Sequence, residues 1–381
     1  MPTTFRSTTC GFAAALLLAV PAHAEMPLPP PPAVDAKAYV LVDYGSGQVL
    51  AGSGIDDRHE PASLTKLMTG YVVFAALKEG RLKLTDPVTI SERAWRSQGS
   101  RSFINVGTQV PVEVLLKGMI VQSGNDASIA LAEHVGGTEA AFVDIMNAYA
   151  KRLGMTNTHF ADASGMPSPE HYSTARDLAT LSRALIRDFP EYYGLFSLRE
   201  YTWNNIKQQN RNGLLDRDPS VDGLKTGHTE TAGYCLIGSA RRQGARYIAV
   251  VLDTSGFKAR EDATLALLNY GFNFFETVAL RKRGETMLKP RVYKGSDNYL
   301  AVGVREDVQV SVPRGRAGSV TTRVSLRRPL IAPVGVNAPV GELLINVGGQ
   351  QVQRVPLYAL KPVPQGGLWS RLYDTVALWF E

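Results

Sequence analysis

Three short motifs place hydroxyl, amine and amide side chains in an order that suits nucleophilic catalysis. They are Ser63-Leu64-Thr65-Lys66, Ser123-Gly124-Asn125 and Lys225-Thr226-Gly227. Ser63 stands three residues before Lys66 at the start of a segment with helical periodicity, and side chains at this spacing share one helix face. The lysine amine can accept the serine proton if its pKa is lowered, and a second nearby cation such as Lys225 is one way to lower it.

Each motif taken alone also has a purely structural explanation. Ser63 suits a helix N-cap, residues 123–125 suit a turn between two helices, and residues 225–227 suit a hairpin. A second Ser-x-x-Lys at 255–258 and a literal Ser-Asp-Asn at 296–298 show how readily such triplets occur. The catalytic hypothesis therefore depends on the order and context of the motifs, including the way that Gly227 lets a substrate backbone approach a strand edge.

Other catalytic and binding patterns are missing from the sequence. It has no G-x-S-x-G elbow, no H-E-x-x-H pair and no Walker lysine loop. The six histidines show no metal-ligand spacing, so we expect neither a metal nor a cofactor. The net charge of +6 is spread along the chain, and no nucleic-acid-binding motif accompanies it, so we expect no nucleic-acid partner.

The N-terminal segment has the features of a secretory signal peptide. Arg6 precedes an apolar run at 12–20, and Pro21 is followed by Ala22-His23-Ala24, a small-x-small site predicted to be cleaved after Ala24. The run is too short for a transmembrane helix. Its removal takes Cys10 with it and leaves Cys235 alone, so we expect an exported protein without an internal disulfide.

The last fifteen residues, 367–381, form an amphipathic segment of their own. At helical spacing the apolar side chains fall within one arc of roughly 140°; they are Leu368, Trp369, Leu372, Tyr373, Val376, Trp379 and Phe380. A helix of this length cannot cross a bilayer but can lie in its interface. The alternative is a terminal helix docked on the protein's own core; the aromatic content and the preceding Gly-Gly pair favour the membrane surface.

Hydrophobic periodicity predicts a mixed α/β region followed by short β segments. Predicted strands lie at 38–43, 48–51, 232–240 and 246–252, and predicted helices at 61–79, 111–121, 127–134, 138–152, 174–187 and 260–275. We therefore expect a signal peptide (1–24), a Pro-rich lead-in (25–36), a catalytic domain (37–283), a β domain (288–362) and an amphipathic membrane-anchoring helix (367–381).

The three motifs in this order resemble the penicillin-recognising serine enzymes, a superfamily of DD-peptidases and serine β-lactamases. Longer strings are similar to the low-molecular-mass D-alanyl-D-alanine carboxypeptidases of the penicillin-binding protein 5/6 type; they lie at 61–69, 123–127, 210–215, 221–229 and 271–277. The resemblance covers nearly all of the chain after 24. It implies a β-lactamase/transpeptidase-like α/β (α+β) domain with an antiparallel sheet flanked by helices, then a small all-β sandwich and a C-terminal amphipathic helix.

The resemblance also implies a role for each motif residue. Ser63 is the acylated nucleophile and Lys66 its general base; Ser123 relays a proton to the leaving amine, Asn125 holds the peptide carbonyl and Lys225 supplies positive potential. The backbone N–H groups of Ser63 and His228 form the oxyanion hole. The substrate-binding group is completed by Thr226, Gly227, Arg260 and Arg211, of which Thr226 and the two arginines receive the terminal carboxylate. Without the resemblance, Arg260 is equally well interpreted as a solvated charged side chain at the start of a helix.

The implied reaction removes the terminal D-alanine from peptidoglycan pentapeptide stems through an acyl-enzyme on Ser63, with β-lactams as covalent inhibitors. The implied location is the periplasmic face of the cytoplasmic membrane. A class A-like β-lactamase needs a Glu-x-x-Leu-Asn string, which residues 155–195 lack. A DD-endopeptidase is closer, but such relatives usually lack the β domain and helix. A non-catalytic wall-binding protein is disfavoured by the complete motif set.

Overall fold

A computed structural model describes residues 28–379 of the 381-residue chain. The predicted signal peptide at 1–24 and the final residues of the amphipathic segment, 380–381, lie outside the described residues. The elements given below therefore cover the Pro-rich lead-in from residue 28 onward, the region of the three motifs, the β segments and the body of the C-terminal helix.

The strands are β1 (Ala38–Asp43), β2 (Val49–Ser53), β3 (Pro87–Thr89), β4 (Gln109–Pro111), β5 (Glu200–Trp203), β6 (Ile206–Gln209), β7 (Val221–Thr229), β8 (Gly233–Arg242), β9 (Ala245–Thr254), β10 (Phe275–Arg281), β11 (Thr286–Leu288), β12 (Val302–Gly303), β13 (Val308–Pro313), β14 (Val320–Leu326), β15 (Pro339–Val347) and β16 (Gln350–Ala359). The α-helices are α1 (Lys66–Lys78), α2 (Glu92–Trp95), α3 (Val112–Lys117), α4 (Asn125–Gly136), α5 (Glu139–Leu153), α6 (Ala175–Asp188), α7 (Pro190–Tyr193), α8 (Leu214–Arg217), α9 (Phe257–Phe274) and α10 (Leu368–Ala377).

The first region is built around a five-stranded antiparallel sheet in the order β2-β1-β9-β8-β7. Successive side chains of a strand point to opposite faces, and in β1 Val40 and Val42 join one apolar cluster while Leu41 joins another. Helix α9 packs on one face, whereas α1 and α6 belong to the larger cluster on the other. The predicted α/β architecture with an antiparallel sheet flanked by helices is confirmed.

Local periodicity predicted the positions of most of these elements, but it did not predict where a helix departs from α-helical geometry. The predicted strands at 38–43 and 48–51 are present and pair as a hairpin, with Leu41 opposite Ala51. The predicted helix at 61–79 is a 3₁₀ turn (Ala62–Thr65) followed by α1, and the one at 111–121 is α3 followed by a π-helical turn (Gly118–Gln122). Both irregular turns carry motif residues or lead directly into them, so the departures from α-helix occur where the candidate site lies.

The second region is all-β and has its own apolar core. A five-stranded antiparallel sheet in the order β11-β12-β16-β15-β14 faces a smaller pair formed by β10 and β13. Strand β10 follows α9 directly and pairs with β13, from Phe275 opposite Pro313 to Arg281 opposite Val308. The sequence predicts that the catalytic domain extends to 283 and that the β domain begins at 288. Because this pairing joins β10 to the later strands, we propose that the β domain begins at about residue 275.

The C-terminal segment docks on the β domain through its polar side. The residues before α10 also lie against this domain, since Val363 is buried and pairs with Val334. Asp374 of α10 is only 5% exposed and accepts hydrogen bonds from Arg291 Nη2 (3.1 Å) and the Lys294 backbone N–H (2.5 Å). The apolar side chains point outward, with exposures of 49–84% for Leu368, Trp369, Leu372, Tyr373, Val376 and Trp379. The apolar face is therefore not docked on the protein's own core.

Candidate active site

The backbone around Ser63 is held by buried neighbours that leave this residue turned to the cleft. Ala62, Leu64 and Thr65 of the 3₁₀ turn are buried, and Ser63 is half-buried. Ala62 adopts a positive φ of 47°. Gly165 packs so closely on this turn that a Cβ atom there would lie 1.8 Å from the Ala62 carbonyl oxygen, so only glycine fits. The conformation of this turn is thus held by the packing of Gly165, from another part of the chain, and not by the helix that follows the turn.

Lys66 begins α1 and is almost completely buried, with 1% exposure. Its Nζ donates to Ser63 Oγ at 2.9 Å, Asn125 Oδ1 at 2.7 Å and the Ser164 carbonyl oxygen at 2.6 Å. Burial lowers the pKa of Lys66 to about 7, although the negative charges of Asp162 and Asp126 act in the opposite direction. A large fraction of this amine is therefore neutral near pH 7, and the neutral form can take the Ser63 proton.

The second motif lies where two helical segments meet. Ser123 adopts the left-handed conformation (φ 64°) at the end of the π-helical turn, and Asn125 begins α4. The Ser123 hydroxyl is buried and has no hydrogen-bond partner within residues 28–379. Asn125 Nδ2 donates to the Gln98 carbonyl oxygen at 2.6 Å, while its Oδ1 faces Lys66. The amide is therefore fixed from both ends, and the Ser123 hydroxyl keeps its hydrogen-bonding capacity unused among the described residues.

The third motif lies on β7, the edge strand of the central sheet. Lys225 is buried and its Nζ donates to the Thr226 carbonyl oxygen at 3.0 Å. Burial, followed by the positive charges of Lys66, Arg211 and Arg260, lowers the pKa of Lys225 well below its ordinary value. A Cβ atom at Gly227 would lie 3.0 Å from the Pro61 carbonyl oxygen, so glycine permits the close approach of β7 to the serine turn.

Two further predicted residues lie near the end of β7. His228 is exposed, and its ring centroid is 4.0 Å from that of Tyr234. Arg260, on α9, is 3% exposed and its Nη1 donates to the Gly227 carbonyl oxygen at 3.1 Å. Arg260 Nε is buried and lacks a hydrogen-bond partner among the described residues. The burial of Arg260 is inconsistent with a solvated surface charge and leaves a guanidinium edge for an anionic group.

A cleft of about 790 Å³ opens in front of these groups. Of the predicted residues, those lining it are Ser63, Asn125, Arg211 and His228. Arg211 is exposed, with Nε donating to the Gln122 carbonyl oxygen at 2.9 Å. The other predicted residues are buried and do not line the cleft; they are Lys66, Ser123, Lys225, Thr226, Gly227 and Arg260. Within residues 28–379, no group of His, Cys, Asp or Glu side chains comes together that could hold a metal ion.

Comparison with known proteins identifies the chain. The family model described as D-alanyl-D-alanine carboxypeptidase matches residues 25–256, and the model of the penicillin-binding protein 5 C-terminal domain matches residues 275–365. The chain belongs to the D-alanyl-D-alanine carboxypeptidase family. It is 42% identical to D-alanyl-D-alanine carboxypeptidase DacA of Escherichia coli K12 over 93% of this chain and 90% of that relative. It is also 42% identical to DacC of the same organism, over 99% of this chain and 96% of that relative.

Solved structures agree with this assignment to the carboxypeptidase family. Penicillin-binding protein 5 from Haemophilus influenzae is 41% identical, with a TM-score of 0.79 over 88% of this chain and 99% of that chain. Penicillin-binding protein D2 from Listeria monocytogenes, solved in an ampicillin-bound form, is 33% identical with a TM-score of 0.59 over 64% of this chain and 100% of that chain. The predicted relationship to the penicillin-binding protein 5/6 type is confirmed.

The sequence did not predict that the loop between α5 and α6 contacts Lys66. Ser164, on a loop between α5 and α6, contributes its carbonyl oxygen to Lys66, and Gly165 and Met166 line the cleft. The string Asp162-Ala-Ser-Gly contains turn-forming residue types. Those types predict a turn but cannot predict that the turn packs on a residue 98 positions earlier in the chain.

Proposed function

We propose that Ser63 is the nucleophile with which this D-alanyl-D-alanine carboxypeptidase removes the terminal D-alanine of peptidoglycan pentapeptide stems. The observation that supports this most strongly is the buried Lys66 amine, whose pKa is about 7 and whose Nζ lies 2.9 Å from Ser63 Oγ. A serine hydroxyl is a weak nucleophile unless a base takes its proton during attack. A neutral lysine amine at hydrogen-bonding distance meets that requirement at neutral pH.

Acylation in this proposal begins when Lys66 Nζ takes the Ser63 proton and Ser63 Oγ bonds to the carbonyl carbon of the penultimate D-alanine. The backbone N–H groups of Ser63 and His228 stabilise the resulting oxyanion. The C–N bond to the terminal D-alanine then breaks, and its nitrogen receives the proton from the Lys66 ammonium by way of the Ser123 hydroxyl. D-alanine leaves, and the remaining peptide is held as an ester on Ser63.

Deacylation reverses the roles with water as the nucleophile. Water attacks the ester carbonyl carbon, its proton passes to the Lys66 amine, and the ester C–O bond breaks with return of that proton to Ser63 Oγ. The shortened peptide leaves as a carboxylic acid, so one water is consumed for each D-alanine released.

The remaining site residues bind the intact substrate before acylation. Asn125 Nδ2 holds the peptide carbonyl, and the edge of β7 with Gly227 aligns the substrate backbone. Thr226, Arg260 and Arg211 receive the substrate's terminal carboxylate.

The same chemistry predicts covalent inhibition by β-lactams. The strained amide of the lactam ring takes the place of the D-alanyl peptide bond, and Ser63 Oγ opens it to give an ester. The leaving nitrogen stays tethered to the acyl group, so departure cannot clear the site as it does with D-alanine. The ampicillin-bound form of the Listeria monocytogenes relative supports this part of the proposal.

The deciding experiment treats the protein, from residue 25 onward, with a fluorescent penicillin and separately with a pentapeptide ending in D-Ala-D-Ala. We expect a covalent label that maps to Ser63 by mass spectrometry and stoichiometric release of D-alanine. A pentapeptide ending in L-Ala-L-Ala is the matched control and should release nothing. If a folded sample takes up no label and releases no D-alanine, the enzyme assignment is wrong. If the label is found on another residue, the role of Ser63 is wrong.

We further propose that the protein is exported and attached to one face of a membrane by the segment 367–381. Six large apolar side chains of α10 and the turn that follows it are 49–84% exposed, and three of them are aromatic: Trp369, Tyr373 and Trp379. Aromatic side chains favour the interface between lipid and water. Within residues 28–379, no helix has the length and apolar character needed to cross a bilayer. Interfacial binding accounts for the exposure of this apolar face.

Removal of 367–381 is expected to release the enzyme from membranes without changing turnover of a soluble pentapeptide. The full chain expressed in a Gram-negative host should fractionate with membranes and begin at Glu25, whereas the truncated chain should appear in the soluble fraction. Leu372→Glu, on the exposed apolar face, should have the same effect as truncation, and Arg371→Gln, on the exposed polar side, should not. Unchanged co-sedimentation of the truncated chain with phosphatidylglycerol-containing vesicles contradicts the anchor.

A further inference from the structure

The loop that faces Lys66 is folded around one carboxylate, Asp162. Asp162 Oδ1 accepts hydrogen bonds from the Ser164 backbone N–H (2.6 Å), the Ser164 hydroxyl (2.9 Å) and the Gly165 N–H (2.6 Å). Its Oδ2 accepts from the Met166 N–H at 3.0 Å. Four donors on three successive residues therefore converge on one side chain, and the loop conformation depends on that side chain being an acceptor at both oxygens.

A buried histidine joins the same carboxylate to the turn of the nucleophile. His171 is 1% exposed; its Nε2 lies 2.8 Å from Thr65 Oγ1, and its Nδ1 lies 3.4 Å from Asp162 Oδ2. Thr65 stands between Ser63 and Lys66 in the chain. The imidazole thus spans the gap between the serine turn and the loop, with a hydrogen bond to Thr65 on one side and a longer contact to Asp162, not a hydrogen bond, on the other.

The loop in turn contacts the catalytic residues directly. The Ser164 carbonyl oxygen accepts the shortest of the three Lys66 hydrogen bonds, at 2.6 Å. Gly165 packs on the Ala62 carbonyl, and Met166 Sδ lies 3.7 Å from Asn125 Nδ2. A displacement of this loop would therefore move an acceptor of the base and loosen the contact behind the nucleophile at the same time.

We propose that Asp162 is a positioning residue for the general base: with His171 packed beside it, it fixes the Ser164 carbonyl against Lys66 Nζ through its hydrogen bonds to the loop and places a negative charge behind the amine. The inference rests on the roles of Ser63 and Lys66 proposed above. Asp162 touches neither substrate nor the reacting atoms and acts through Lys66. Asp162 and His171 belong to none of the three catalytic motifs, so those motifs do not assign Asp162 this role.

Asp162 is ionised at neutral pH. Burial alone would raise the pKa of Asp162, but the contact with His171 and the Ser164 and Gly165 donors hold it well below its ordinary value. The other charged groups that face Lys66 are Asp126 from α4, Arg211 from the loop before α8, and Lys225 from β7. Asp162 and Asp126 favour the ammonium form of Lys66, whereas Arg211 and Lys225 oppose it.

The sign of the expected effect follows from this balance. Neutralising Asp162 removes one of two carboxylates that stabilise the Lys66 ammonium, so the pKa of Lys66 falls and the amine becomes neutral at lower pH. The acid limb of the acylation rate then moves to lower pH. Displacement of the Ser164 carbonyl also misaligns the amine with Ser63 Oγ, so the plateau rate at high pH falls.

The test measures the second-order rate of acylation by a fluorescent penicillin between pH 5 and 10 for Asp162→Asn, His171→Gln and wild type. For Asp162→Asn we expect the midpoint of the acid limb to fall by at least about half a pH unit and the plateau to fall about tenfold. His171→Gln leaves the carboxylate charged, so its plateau should fall while its midpoint stays. Asp144→Asn, an exposed aspartate on α5, is the matched control and should behave as wild type.

Thermal unfolding of each variant separates a positioning role from a merely structural one. If Asp162→Asn lowers the melting temperature but keeps the wild-type midpoint and the wild-type rate per folded molecule, the proposal is wrong. A shift of the midpoint to higher pH also overturns it, because it reverses the sign of the Asp162 charge effect. Failure of wild-type protein to label is a different result, which contradicts the proposed function itself.

Discussion

Ser63→Ala is expected to abolish covalent labelling by penicillin and to lower kcat for D-alanine release by at least about 10⁴-fold. Alanine has no oxygen that can form the acyl ester, so no intermediate can accumulate, and residual turnover depends on oriented water alone. The Lys66 amine also loses one of the acceptors that orient it, the Ser63 Oγ at 2.9 Å. Labelling is measured by gel fluorescence, and release by coupled detection of D-alanine.

The loss in this variant should be chemical and not structural. Ser63 is half-buried at the cleft, whereas its neighbours Ala62 and Leu64 pack in the core. Removal of one hydrogen bond at such a site changes the free energy of unfolding by only about 1 kcal/mol. Ser63→Ala should therefore melt within a few degrees of wild type, and it should still bind pentapeptide reversibly.

The chain supplies its own matched control in the second Ser-x-x-Lys, at 255–258. Ser255 and Lys258 are exposed, and the Ser255 hydroxyl donates to Asp35. Ser255→Ala should therefore keep full labelling and turnover. Equal losses of label in the two variants would contradict a specific role for the Ser63 hydroxyl, and label retained in Ser63→Ala would place the nucleophile elsewhere.

These two copies also show what sequence can and cannot predict about the site. Both have the same residue types and spacing, and local pattern alone does not separate them. Burial separates them, because Lys258 is exposed, whereas Lys66 is only 1% exposed and burial lowers its pKa to about 7. The choice of Ser63 from sequence depended on motif order and on the family resemblance, which carry information about tertiary packing that spacing lacks.

The parts of the site that sequence missed are those made by long-range contacts. The Lys66 contact with Ser164 joins residues 98 apart in sequence, and the Thr65 contact with His171 joins residues 106 apart. No period or turn signal in either segment specifies the partner. The same cause applies to the boundary that we propose for the β domain: β10 follows α9 without a break, and its pairing with β13, a long-range contact, is what places it with the later strands.

Lys66→Gln is expected to lower the acylation rate about 10³-fold and to remove its rise with pH through about 7. In wild type the neutral amine is the active form, so below the pKa the rate should fall tenfold for each pH unit. Glutamine keeps donors near Asn125 and Ser164 but cannot take a proton in this range. Lys78→Gln, at the exposed end of the same helix, is the matched control and should keep both rate and pH limb.

Lys225 is the rival base, since it is also buried and its pKa is also well below the ordinary value. Geometry separates the two lysines: Lys66 Nζ is 2.9 Å from Ser63 Oγ, whereas Lys225 Nζ donates to the Thr226 carbonyl oxygen. Lys225→Gln should therefore lower the rate but keep a pH limb near 7, because Lys66 still titrates there. If the limb vanishes in Lys225→Gln and survives in Lys66→Gln, the base is on β7, and both the acylation scheme and the role of Asp162 must be abandoned.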